Sequence, residues 1–178
     1  MKPSDVAGLY QTALDPGTFT YMPVSIGSLA DMGLVVEHAL AAKLAGTEFP
    51  FAIFDPERNR IVGSTRYLDI SPQHRNLEIG WTWLAADARR TRINTECKYL
   101  LLRYAFESLG AVRVQIKTDS RNLVSQRAIE RIGFRKEGVL RKHRILPDGY
   151  VRDTVMYSLV AAEWTGVKEG LQRILGVV

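Results

Sequence analysis

Cysteine is almost missing from this chain. Cys97 stands alone among 178 residues, so no intrachain disulfide can form. Histidine is scarce as well. His38, His74 and His143 lie far apart and show no metal-ligand spacing, so no metal is expected. No apolar run reaches the roughly 20 residues of a membrane-spanning helix, and the first residues lack the apolar centre of a secretory signal. These absences make a cytoplasmic protein the default expectation. Internal repeats, low-complexity tracts and linkers are also lacking, which predicts one domain over residues 1–178.

Hydrophobic residues make up 46% and charged residues 24%, enough apolar content for a sizeable core. The net charge of +5 invites nucleic acid or a polyanionic small molecule. Arg135, Lys136, Arg141, Lys142, His143 and Arg144 form a basic segment that reads as a solvated strand. No recognition-helix or aromatic-platform pattern accompanies it, so nucleic acid ranks last among the partners.

The hydrophobic periodicity predicts helices over residues 3–14 and 28–45, then strands over 49–54, 60–70 and 77–84. Ser28 suits a helix cap, and Asp15-Pro16-Gly17 a stop. A long helix follows from Ile93, with Ile93, Cys97, Leu100, Leu101, Tyr104 and Ala105 as its apolar stripe. Beyond it come a strand with Val112, Val114 and Ile116 on one face, a helix over 122–131, and strands over 134–146 and 150–160 joined by Pro147-Asp148-Gly149. A helix over 163–175 closes the chain. That order describes an α/β (α+β) domain with a mixed, mostly antiparallel sheet.

One stretch concentrates the chemistry. Leu77, Ile79, Trp81 and Trp83 alternate with Glu78, Gly80, Thr82 and Leu84, which predicts one bulky apolar face. Arg89, Arg90, Thr91, Arg92, Ile93, Asn94 and Thr95 then lead into the helix. Unpaired N–H groups and the dipole at a helix start favour an anion, whereas arginines there without one are unfavourable. A phosphate is therefore the expected occupant.

This strand, arginine-rich turn and helix resembles the pyrophosphate-binding motif of the GNAT acyltransferases. The run RRTRINTECKYLLLRYAFE is similar to the RimJ/RimL-type branch, and so is TDSRNLVSQRAIERIGF with its Asn-x-x-Ser helix and Gly-Phe. Together, in this order, the two motifs are specific, and the resemblance spans residues 9–164. It implies a GNAT-like sheet flanked by helices, but without the family's usual first edge strand, a role that a neighbouring subunit of a homodimer could fill.

The resemblance also implies an activity, transfer of an acetyl group from acetyl-CoA to a primary amine, without a metal. Residues 89–95 would hold the pyrophosphate. Trp81, Thr82, Trp83 and Leu84 would pair by their backbone with the pantetheine arm. Glu78 would be the general base, against the alternative of a salt bridge with Arg66. Asn122 and Ser125 would face the cofactor, Ser125 near the leaving sulfur. The Tyr used by other GNAT groups is replaced here by Ile129. Arg92 stands where the family usually has Gly. If φ > 0 is needed there, it costs about 1–2 kcal/mol, against about 1.5–3 kcal/mol from a charge-assisted bond.

The acceptor remains open. At neutral pH an α-amine is roughly 10% neutral and a lysine amine fewer than about one in a thousand. That favours a protein or peptide N-terminus over a small-molecule amine or polyamine. A non-catalytic acyl-CoA-binding module is the remaining alternative.

Overall fold

A computed structural model describes residues 1–177. A 3-10 turn at Pro3–Asp5 leads into α1 (Val6–Gln11). Ser28 caps α2 (Leu29–Leu44): its hydroxyl accepts the Asp31 N–H at 3.1 Å. Three antiparallel strands follow, β1 (Phe49–Asp55), β2 (Arg60–Ser71) and β3 (Asn76–Leu84). Then come α3 (Ile93–Arg103), β4 (Arg113–Asp119), α4 (Leu123–Arg131), β5 (Arg135–Ile145), β6 (Val151–Val160) and α5 (Ala161–Leu175). The β5–β6 turn closes at Gly149, whose φ of 82° suits glycine.

The sheet runs β1-β2-β3-β4-β6-β5, and only β3 and β4 are parallel. α1 and α2 cover one face of its first half, where Leu9, Met32 and Val36 pack on Trp83. Leu101 and Leu102 from α3, Ala105 from the turn after it, Ile129 and Ile132 around α4, and Trp164 and Leu171 from α5 fill the other face against Leu77, Ile79 and Val114. This is the mixed architecture expected from the pattern. Among the described residues no strand precedes α1, so β1 is the edge. Pro50 removes one edge donor, and the Met1 ammonium donates to the Pro50 carbonyl at 3.4 Å.

Two expectations about faces need correction. Leu100 and Tyr104 are half-exposed, whereas Thr95, Lys98 and Leu102 point inward from α3. The buried face of the helix is set by Thr95, Lys98, Tyr99 and Leu102, at ordinary helical spacing, and the helix then widens into a π turn at Tyr104–Ser108. Cys97 is partly buried against the core, and burial pushes its thiol pKa up. The second correction concerns β3 and shapes the site.

Candidate active site

Strand β3 carries a bulge. Arg66 pairs with Gly80 and Ser64 with Trp83, so Trp81 and Thr82 together oppose Thr65. Trp81 sits at φ 50°, the left-handed conformation that absorbs the extra residue. The bulge reverses the alternation. Leu77 and Ile79 face the α3 side, whereas Trp81 and Trp83 pack on the α1–α2 side. The expected single apolar face of Leu77, Ile79, Trp81 and Trp83 is therefore two half-faces.

The bulge is held from behind by Lys98, whose ammonium donates to Thr82 Oγ1 at 2.7 Å and lies 3.4 Å from Thr65 Oγ1. Lys98 has no acidic partner among the described residues, and burial lowers its pKa. Gly80 leaves room in front. A Cβ there would lie 2.9 Å from Leu68 Cδ2 and 3.0 Å from Glu78 Oε1.

Beside the bulge the sheet opens. β3 and β4 pair only through Asn76–Arg113, Leu77–Val114 and Glu78–Gln115. β3 then runs on to Leu84 and β4 to Asp119 without pairing with each other, so the flank of β3 from Trp81 through Thr82 and Trp83 to Leu84 has no strand partner on this side, although the Leu84 carbonyl is taken by Arg89 and the Trp83 carbonyl faces Gly63 on β2. Glu78 stands at the apex of this opening and is 1% exposed. Its Oε2 accepts from Lys117 Nζ at 2.8 Å and from Gln115 Nε2 at 3.2 Å. Burial raises the Glu78 pKa, and Lys117 partly offsets the rise. Lys117 also reaches Asp69 at 3.3 Å. The expected partner Arg66 is engaged elsewhere, on Glu48 at 2.9 Å and over the Trp81 ring at 4.2 Å. Sequence reasoning missed Lys117 and Gln115. The polar face of β4 hinted at them, but their register with Glu78 is a long-range fact.

The turn before α3 divides its residues between two tasks. Arg89 is a clamp: it donates to the Leu84 carbonyl at 3.0 Å, to Asp15 at 2.6 Å and to Thr18 Oγ1 at 2.6 Å. Thr91 donates to the Ala88 carbonyl at 2.7 Å and accepts the Ile93 N–H at 3.3 Å. Ile93 packs near Leu84 and Ala88. Arg90, exposed, takes the left-handed φ of 59°. Arg92 is right-handed, at φ −65°, with Glu96 at 3.3 Å. Replacing the family's usual Gly thus carries no left-handed strain at this position. The first-turn N–H groups around Asn94 and Thr95 point out of the helix end. Arg131 from α4, absent from the sequence expectation, reaches Thr95 Oγ1 at 3.1 Å.

On α4, Asn122 acts as the cap, its Oδ1 accepting the Ser125 N–H at 3.0 Å. That is the plain helix-start role. Ser125 is half-buried, and its Oγ makes no hydrogen bond among the described residues.

An opened parallel seam, a buried carboxylate at its apex and a helix start at its mouth can hold a long ligand with an anionic end. Comparisons agree with that geometry. The acetyltransferase (GNAT) domain family matches residues 1–135. The putative ribosomal N-acetyltransferase YdaF of Bacillus subtilis is 39% identical over 95 residues, 53% of this chain and 51% of that one. The crystal structure of a putative acetyltransferase from T. thermophilus superposes with a TM-score of 0.89 at 36% identity, covering 98% of this chain and 90% of that chain. Mycobacterium smegmatis RimJ, solved in complex with CoA-disulfide, shares the fold at a TM-score of 0.81 and 20% identity, covering 99% and 87%. The chain is an acyltransferase that belongs to the GNAT acetyltransferase family.

Proposed function

We infer that this protein transfers an acetyl group from acetyl-CoA to the α-amine of a protein or peptide N-terminus, with residues 1–178 acting as one catalytic domain. The observation that carries this reading is the buried Glu78 at the apex of the opened β3–β4 seam. The pantetheine arm would pair with the free flank of β3 at Trp81, Thr82, Trp83 and Leu84. Its diphosphate would rest on the N–H groups of Arg92, Asn94 and Thr95, the Ile93 N–H being held by Thr91, with Arg90, Arg92 and Arg131 supplying charge. Arg89 and Thr91 contribute by holding that turn in place.

Glu78 takes a proton from the acceptor ammonium, directly or through one water. The freed amine lone pair attacks the thioester carbon, the C–S bond breaks, and the surplus proton left on the nitrogen passes to the departing thiolate, directly or through solvent. Ser125 Oγ serves to hold or polarise that sulfur. Lys117 favours the ionised form of Glu78 against its burial. An α-amine, with its lower pKa, asks less of one carboxylate than a lysine does. The ribosomal relative named above is consistent with a protein acceptor. Arg92 lies in the right-handed region, so the backbone cost weighed against cofactor binding at the family's Gly position does not arise.

Glu78→Gln tests the assignment. Turnover is expected to fall about 100-fold or more, with the acetyl-CoA dissociation constant, measured by calorimetry, little changed. Undiminished turnover would remove Glu78 from the mechanism.

A further inference from the structure

Resting on that reading, we propose that the acceptor is a peptide N-terminus with an acidic side chain at its second or third residue, and that Arg152 receives the carboxylate. Arg152 lies at the start of β6 and is only 6% exposed. Its Nε donates to Thr154 Oγ1 at 3.0 Å and its Nη1 to the Tyr21 carbonyl at 3.3 Å, both neutral partners. Among the described residues Nη2 makes no hydrogen bond, and no carboxylate forms an ion pair with Arg152. The acids whose fields it feels are already taken: Asp119 is gripped by Arg121 at 2.8 and 3.1 Å, and Glu78 by Lys117. A guanidinium does not shed its proton to escape burial, so this one lacks an anion.

Its place relative to Glu78 gives the shape of the missing group. Lys117, which holds Glu78, faces Met156 across β4–β6, and Asp119 faces Thr154. Glu78 itself is in register with Gln115, so Thr154 lies four strand residues from the Glu78 pair, about 13 Å along the backbone, a gap narrowed by Glu78 meeting Lys117 and by Arg152 reaching back to Thr154. The Arg152 Nε sits on the Thr154 hydroxyl, as does His143 Nδ1 at 3.1 Å. The His143 pKa is pushed down by its burial and by Arg144, Lys117 and Arg152 around it, which favours the neutral ring. An amine at Glu78 and a carboxylate at Arg152 match an N-terminus and an acidic side chain one or two residues apart, since each residue spans about 3.5 Å. The α-carboxylate of a free amino acid lies too close to its own amine to bridge them. A polyamine would set its second ammonium against Arg152, Lys117 and Arg144, where like charges repel.

The experiment compares kcat/KM for peptide pairs that differ only by Asp against Asn, or Glu against Gln, at the second or third position, with spermidine as a third acceptor. The acidic peptide is expected to win by about tenfold or more, the worth of one charge-assisted hydrogen bond. Arg152→Gln is expected to bring the ratio near one, and Arg152→Lys to keep part of it. Equal rates on both members of each pair, or a preference for spermidine, would overturn the proposal. The wild-type comparison stands even if Arg152→Gln does not fold. Absence of transfer to every amine would instead refute the acetyl-transfer reading beneath it.

Discussion

Glu78 and Lys117 show how one residue's chemistry is set by another's charge. Burial disfavours the Glu78 carboxylate and raises its pKa, and Lys117 at 2.8 Å works against that rise. A general base works only when ionised. The rate must therefore fall as pH drops through the raised pKa, higher than an ordinary glutamate would allow. Lys117→Met removes the opposing cation, so the acid limb of kcat/KM should move to higher pH, while Lys117→Arg should leave it nearly in place. A pH–rate profile for each variant checks this, and an unmoved limb would mean that Lys117 only packs. Arg66 offers a contrast. It is equally buried and its Nε and Nη2 lack hydrogen-bond partners, yet it meets a carboxylate at Glu48 and an aromatic face at Trp81.

At the scale of elements, the bulge in β3 and the cap of α4 matter most. The bulge turns Trp81 and Trp83 toward α1 and α2 while leaving Thr82 on the side of Lys98. Gly63, on β2 opposite Leu84, permits the same close approach: a Cβ there would lie 2.1 Å from the Trp83 carbonyl oxygen. The cap is testable. Asn122→Ala deletes the acceptor for the Ser125 N–H and should cost about 1 kcal/mol of stability, whereas Asn122→Asp preserves it. Urea unfolding measures the loss. Calorimetry with CoA on the Asp variant shows whether Asn122 also touches the ligand: unchanged affinity would confine it to capping.

On the scale of the whole molecule, the sheet consists of two halves joined by three residue pairs. β1-β2-β3 and β4-β6-β5 meet only at Asn76–Arg113, Leu77–Val114 and Glu78–Gln115. The open flank of β3 should exchange its amide hydrogens quickly in the free protein and slowly once CoA fills the seam. CoA at 100 times its dissociation constant should add about 2.7 kcal/mol of stability. Hydrogen exchange read by mass spectrometry checks both the site and the size. Protection confined to segments away from residues 81–84 would place the ligand elsewhere. No helix among the described residues is long and apolar enough to cross a membrane.

Local signals read correctly wherever the physics is local. Ser28 caps α2 because its hydroxyl reaches an N–H three residues on, and Asp148-Gly149 turns the last hairpin because glycine takes φ 82° freely. Element order and the basic helix start followed from the same short-range rules, whereas the family was legible only through the resemblance of two motifs. What those rules could not reach were choices made across long separations. Arg89 found Asp15, 74 residues away, and Lys117 came to Glu78 through the register of β3 on β4. The left-handed residue fell at Arg90 rather than Arg92, and one inserted residue in β3 exchanged its faces. Periodicity encodes which residues alternate. Only the packed sheet decides where the alternation slips and which charges are left facing one another.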